Sequence, residues 1–316
     1  MEEKKEIYDL IIIGAGPAGV TAGVYAARKK IRTLLITKEF GGQSVVSESI
    51  ENWTGEISIK GKDLAEKMKN HVKYYESEDF VIKEFSLVEK IEKNENNNFS
   101  VKTNDGKIFE SRAIIIASGS KRRKLEIPGA DKFEHKGLTY CASCDGPLFT
   151  DKDVVVVGGG NSGFEAASQL LAYCKSVAIL HRRNEFKAEE LMKEQVLSNK
   201  KTVSILNAEI TEVFGDEFVT GIKYIDKNSG EEKTLNVSGV FVEIGAIPAT
   251  NFIDKNLVDK NQSNEITVDH RNCRTSQEGI WAAGDVNDGL YQQNGIALGD
   301  GVKAVEDAYQ YLQKKQ

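Results

Sequence analysis

Tyr8-Asp9-Leu10-Ile11-Ile12-Ile13 runs straight into Gly14-Ala15-Gly16-Pro17-Ala18-Gly19. The first six residues form a short segment that ends in a β-branched apolar run and is bounded by a turn signal, the pattern of a fully buried strand. Val20 to about Lys29 then carries a helical pattern. Gly-x-Gly-x-x-Gly between a strand and a helix is the dinucleotide-binding turn in its required context. Its glycines let the backbone approach a pyrophosphate, and the helix N-terminus favours the charge. A second strand, Arg32 to Thr37, follows. Glu39 comes about twenty residues after the turn, where a carboxylate can hydrogen-bond a ribose hydroxyl. The pattern predicts an α/β fold with Gly14, Gly16, Pro17, Ala18 and Glu39 at a nucleotide.

The same signature recurs downstream. Val154 to Val157 reads as a buried strand, Gly158-Gly159-Gly160-Asn161-Ser162-Gly163 repeats the glycine spacing, and a helix runs on to about Tyr173. The chain therefore holds two Rossmann-like dinucleotide-binding folds. The strand after the second turn, Ser176 to Leu180, ends in His181-Arg182-Arg183 with Lys187 beyond, in place of an acid. Arginine there suits a ribose 2′-phosphate, hence NADPH over NADH. The other reading is a basic strand end facing water. Gly158, Gly160, Asn161, Ser162, His181, Arg182, Arg183 and Lys187 are the candidate residues of this second site.

Between the two folds stands Cys141-Ala142-Ser143-Cys144-Asp145-Gly146. Two cysteines at this spacing can close a redox disulfide, and an acid directly after them can move a proton. A zinc site needs four ligands. The other cysteines, Cys174 and Cys273, stand alone, and His71, His135, His181 and His270 are scattered, so no metal site is expected. A structural disulfide is at odds with a chain that spends so little cysteine.

Composition narrows the class. The 316 residues fit two domains. A hydrophobic content of 40% and a charged content of 28% are those of a globular protein. The formal net charge of −6 argues against a nucleic-acid partner. Lys121-Arg122-Arg123-Lys124 is a local exception, read as a solvated connector. No apolar span reaches membrane length, so no membrane partner is expected. Low cysteine usage and the absence of a signal h-region in the sequence predict a cytoplasmic address.

The remaining segments fill in the architecture. Gly41-Gly42-Gln43 opens a loop containing Glu51-Asn52-Trp53-Thr54-Gly55, and a helix is predicted over about Lys62 to Glu76 with a core stripe of Leu64, Met68, Val72 and Tyr75. Phe80 to Phe109 reads as an antiparallel meander of Val81-Ile82, Phe99 to Lys102 and Lys107 to Glu110, followed by a separate buried strand over Ala113 to Ala117. Beyond the second turn come a helix around Ala188 to Leu197 and strands at Thr202 to Leu206, Phe218 to Ile225 and Val240 to Ile244. Gly279 to Asp285 reads as a strand and turn whose Asp285 lies where α/β folds place ligand contacts. A last helix spans about Ile296 to Leu312.

Taken together, these motifs resemble the low-molecular-weight thioredoxin reductases in order and spacing over nearly the whole chain. The resemblance rests on Gly14 to Gly19, Gly41-Gly42-Gln43, Glu51-Asn52, Cys141 to Gly146, the Gly158 cluster, His181-Arg182-Arg183 and Ala282-Ala283-Gly284-Asp285. It implies an FAD-binding domain, residues 1–118 and 247–316, interrupted by an NADPH-binding domain, residues 119–246, that carries the cysteine pair. It implies electron flow from NADPH to FAD, to a Cys141–Cys144 disulfide, and on to oxidised thioredoxin. Cys144 resembles the cysteine next to the flavin, Cys141 the one that exchanges with the partner, and Asp145 the acid that protonates a departing thiolate. Gly14, Gly16, Gly42, Gln43, Asn52, Asp285 and Gln293 match FAD contacts, with Gln292 beside them. A homodimer is also implied. A related flavoprotein disulfide reductase with another donor, such as ferredoxin, or another protein disulfide acceptor is the alternative; Arg182 and Arg183 speak against the first. The chain departs from the group at Gln292-Gln293-Asn294, where Arg-Gln-Ala is usual, at Lys187, where arginine is usual, at Ala249, where asparagine is usual, and at Gly163, where alanine is usual.

Overall fold

The computed structural model describes residues 7–47, 50 and 52–314. The chain divides into two compact units, one of Met1–Ser47, Trp53–Lys121 and Ile247–Gln316, the other of Glu48–Asn52 and Arg122–Ala246.

The first unit opens with β1 (Ile7–Ala15), α1 (Pro17–Arg28), β2 (Thr33–Phe40), α2 (Gly61–Lys73), β3 (Phe80–Lys83), β4 (Val88–Lys93), β5 (Phe99–Thr103) and β6 (Ile108–Ile116). Leu10, Ile11 and Ile12 are fully buried because β1 has neighbours on both edges and helices over the sheet. The sheet order is β3-β2-β1-β6-β5-β4. Two expectations are corrected here. Val81-Ile82 belongs to β3, which pairs parallel with β2 and extends the central sheet, so it is no part of the meander. A short apolar run has the same pattern in either setting, and its partner decides. The strands expected at 107–110 and 113–117 are a single strand, β6. Its first half pairs antiparallel with β5 and its second half parallel with β1, so the polar stretch Glu110-Ser111-Arg112 is bridged by hydrogen bonds. The chain leaves this unit through β7 (Ser120–Arg122).

The second unit holds α3 (Ala130–Phe133), β8 (Leu138–Thr139), α4 (Ala142–Asp145), β9 (Asp153–Val157), α5 (Asn161–Leu170), β10 (Ser176–Leu180), α6 (Glu190–Leu197), β11 (Thr202–Ile205), β12 (Ala208–Gly215), β13 (Val219–Asp226), β14 (Glu231–Asn236) and β15 (Gly239–Val242). Its parallel sheet runs β11-β10-β9-β15-β8, and β12-β13-β14 form an antiparallel sheet of their own. Successive residues of β9 serve opposite faces. Val155 and Val157 join one core cluster, and Val154 and Val156 pack with Phe164 and Leu170 of α5 in another.

The return passes through β16 (Ala246–Pro248), which pairs with β7, to β17 (Ile280–Ala282) and α7 (Asn294–Lys314). β17 lies beside β6, with Trp281 opposite Ile115. Among the described residues no helix is long and apolar enough to cross a membrane.

Candidate functional site

In the first unit the C-terminal ends of the parallel strands open into a cleft of about 310 Å³. Gly14, Gly16, Pro17, Ala18, Glu39, Gly42, Gln43 and Asp285, all singled out from sequence, line it. The glycines do different work. Gly14 has φ +103°, and a Cβ there would meet the Ala117 carbonyl oxygen at 2.3 Å. Gly14 thus serves the fold. Gly16 has nothing closer than 3.9 Å to such a Cβ, the Cα of Gly42 across the cleft. Packing does not require glycine at 16, but a ligand lying against the backbone does. Gly16 also caps α1 without any side-chain hydrogen bond to the first-turn amides, and no acid stands in that turn. The cradle fits the pyrophosphate of a dinucleotide cofactor such as FAD.

Asn52, Gln292 and Gln293 do not line this cleft. Asn52 is exposed, and Glu51 lies outside the described residues. The Gln293 carbonyl accepts from the Ala297 amide at 2.9 Å and so starts α7. Asn294, noted in the sequence only as a departure, does line the cleft, and its Oδ1 accepts from Ser44 Oγ at 2.6 Å. The sequence reading also passed over Asp300. This buried carboxylate of α7 accepts from the Gly284 amide at 3.3 Å and Asn287 Nδ2 at 3.1 Å, and pairs with Lys303 at 2.7 Å. It fixes the turn that presents Asp285. An acid on the inward face of an otherwise apolar helix stripe was its signal.

The second unit repeats the glycine logic. Gly158 has φ +136°, and a Cβ there would stand 2.1 Å from the Glu243 carbonyl oxygen; one on Gly163 would stand 2.2 Å from the Gly158 carbonyl oxygen. Gly160, the cap residue of α5, faces open space. The segment after β10 folds back over this turn. Lys187 N donates to the Gly159 carbonyl at 2.7 Å, and Glu189 N donates to Asn161 Oδ1 at 3.0 Å. Arg182, Arg183 and Lys187 are exposed. Burial, then the neighbouring arginines, push the His181 pKa down, so the ring is neutral, and its buried Nε2 has no hydrogen-bond partner among the described residues.

Cys141 and Cys144 form a disulfide with a Cα–Cα distance of 5.3 Å. Cys141 caps the single turn α4, and the Cys144 amide donates to its Sγ at 3.2 Å. Asp145, the last residue of that turn, accepts a hydrogen bond from the Thr139 hydroxyl. Thr139 Oγ1 in turn accepts from the Cys141 amide at 3.3 Å. Burial raises the Asp145 pKa; the Thr139 bond, His135 and Arg122 oppose it. The group therefore keeps its proton to higher pH than an ordinary aspartate, as a general acid must. Thr139 was not identified from sequence, because a threonine two residues before a cysteine carries no signal alone. Among the described residues no cluster of His, Cys, Asp or Glu side chains could hold a metal ion.

Comparison with known proteins agrees with this architecture. The family model described as pyridine nucleotide-disulphide oxidoreductase matches residues 8–305. The chain is 40% identical over 311 residues to an alkyl hydroperoxide reductase subunit of Escherichia coli, covering 98% of this chain and 59% of that protein. It is 39% identical over 308 residues to an NADH dehydrogenase of Bacillus subtilis, again 98% of this chain and 59% of the relative. The chain thus spans about three fifths of the length of these curated relatives. The thioredoxin reductase from Giardia duodenalis superposes with a TM-score of 0.91 at 32% identity, covering 98% of this chain and 100% of that one. The chain belongs to the pyridine nucleotide-disulphide oxidoreductase family, and it resembles solved thioredoxin reductases in fold and sequence.

Proposed function

We propose that this protein is an NADPH-dependent thioredoxin-disulfide reductase. The observation that carries the reading is the Cys141–Cys144 disulfide with the part-buried Asp145 tied to it through Thr139. Gly14, Gly16, Gly42 and Asp285 would hold FAD, which when bound supplies a two-electron carrier between a nicotinamide and a disulfide. Gly158 and Gly160 would hold the NADPH pyrophosphate, with Arg182, Arg183 and Lys187 at its 2′-phosphate.

The protein's own steps follow thiol chemistry. Two electrons and two protons open the disulfide to the Cys141 and Cys144 thiols. The Cys141 thiolate attacks one sulfur of the partner's disulfide, forming a mixed disulfide and expelling a thiolate. Asp145 gives that thiolate its proton. The Cys144 thiol passes its proton to the Asp145 carboxylate, restoring the acid, and its thiolate attacks Cys141 Sγ. The original disulfide re-forms, and the partner's second sulfur leaves as a thiolate. It takes from water the proton that Cys141 released on ionising, and the partner departs as a dithiol. The reading places the enzyme as a cytoplasmic homodimer.

The test is NADPH-dependent reduction of oxidised thioredoxin by the purified, FAD-loaded protein. Cys141→Ser or Cys144→Ser should abolish it while NADPH still bleaches the flavin. Thioredoxin reduction by either variant near the wild-type rate would remove the assignment. A second reading is a different protein disulfide as acceptor, favoured by the 40% identity to the alkyl hydroperoxide reductase protein of Escherichia coli. It predicts bleaching by NADPH without turnover on thioredoxin.

A further inference from the structure

Glu243 follows β15 directly, at the switch point of the second sheet. β9 leads from there to β10 and β11 on one side, and β15 leads to β8 on the other. Its amide donates to the Val157 carbonyl at 2.8 Å, and its own carbonyl oxygen closes against Gly158. Phe241, two residues earlier, packs with Phe164 and Leu170 of α5. Side chains alternate along a strand, so Glu243 continues the α5 face beyond the last apolar layer. Its side chain is only 13% exposed, with Oε1 3.8 Å from Arg122 Nη1. Arg122 from β7 and Glu165 from α5 are the charged groups that act on it. Nothing in the electron-transfer scheme uses this carboxyl.

We propose that Glu243 is a further nucleotide-binding residue, which when protonated donates a hydrogen bond to the dinucleotide at the N-terminus of α5, so that binding takes up a proton. The physical reason is charge. The uncapped start of α5 and the open Gly160 invite an anionic pyrophosphate, and an ionised carboxyl beside it would repel the ligand. Burial, opposed by Arg122 and aided by Glu165, already raises the Glu243 pKa to about 7, so the group titrates where the enzyme works. A bound nucleotide raises it further, and linkage then requires affinity to fall as pH rises through the free-protein value.

This inference rests on reading Gly158 to Gly163 as the nucleotide turn, and one set of measurements separates the two. NADP⁺ binding to the FAD-loaded protein is followed by calorimetry from about pH 6.5 to about pH 8.5, in buffers of different ionisation enthalpy. The wild type should weaken about tenfold over that range, with uptake of about half a proton near the upper end. Glu243→Gln keeps the shape and the neutral state. It should bind with affinity that does not fall with pH and take up no proton at the upper end, where the 2′-phosphate is fully ionised. Wild-type binding with no loss of affinity and no proton uptake overturns the role of Glu243 while leaving the site intact, as does unchanged uptake in Glu243→Gln. No binding at any pH overturns the reading of the turn itself.

Discussion

Thr139 holds two groups at once, the Cys141 amide and the Asp145 carboxyl. Its bond to Asp145 favours the charged carboxylate and so lowers a pKa that burial raises. Thr139→Val should let that pKa rise further. The acid stays protonated to higher pH, and the alkaline limb of kcat for disulfide reduction should move upward. Asp145→Asn should remove the limb and cost roughly 10²- to 10⁴-fold in kcat. An unchanged limb in Thr139→Val would separate the pH profile from Asp145. Arg182 and Arg183 bear on nucleotide choice. One hydrogen bond to a charged group contributes about 1.5–3 kcal/mol, roughly ten- to a hundredfold in affinity. The double alanine variant should lose at least that for NADPH and almost nothing for NADH, measured by fluorescence titration; equal losses would remove the 2′-phosphate assignment.

At the scale of elements, the two glycine turns separate structural from ligand-facing positions. Gly14→Ala forces a Cβ to 2.3 Å from a backbone oxygen at φ +103°, so it should unfold the first unit or destabilise it severely. Gly16→Ala has an ordinary backbone and room for a methyl. It should leave the apo protein's melting temperature unchanged and lower FAD retention, read as the flavin-to-protein absorbance ratio after gel filtration. The strand–turn–helix context made both turns legible in the sequence, because there spacing and chemistry coincide. β3 was misplaced because Phe80-Val81-Ile82 has the same pattern in a parallel edge as in a hairpin. β14 (Glu231–Asn236) was missed because it is almost wholly exposed and opens on three charged residues, and its hydrogen bonds to β13 make it a strand. Gly42 and Gln43 came from resemblance more than from pattern, Asp285 from its place at the end of a strand, and the cleft includes all three. Asp300 and Glu243 are defined by contacts with residues 13 or more positions away in sequence, which a linear reading does not contain, whereas Thr139 acts on near neighbours but as a lone threonine carries no signal.

At the scale of the whole molecule, the two units keep separate cores. Ile11, Ile114 and Ile280 belong to one cluster, whereas Val155, Val240 and Ile222 belong to another in the second unit. Each unit should respond to its own ligand. A ligand at a hundred times its Kd stabilises the unit that binds it by about 2.7 kcal/mol. Scanning calorimetry of the apo protein should resolve two transitions, one raised by FAD and the other by NADP⁺. A single transition raised equally by both would mean that the units unfold together.

The chain has four cysteines, and the two outside the disulfide are buried. Desolvation pushes the Cys174 thiol to about 11 and the Cys273 thiol to about 12. Neither is a nucleophile at neutral pH, so neither can trap a mixed disulfide or scramble the exchanging pair. An alkylating reagent therefore becomes a meter of redox state: the folded oxidised protein should gain no label, and the NADPH-reduced protein two, both on the peptide containing Cys141 and Cys144.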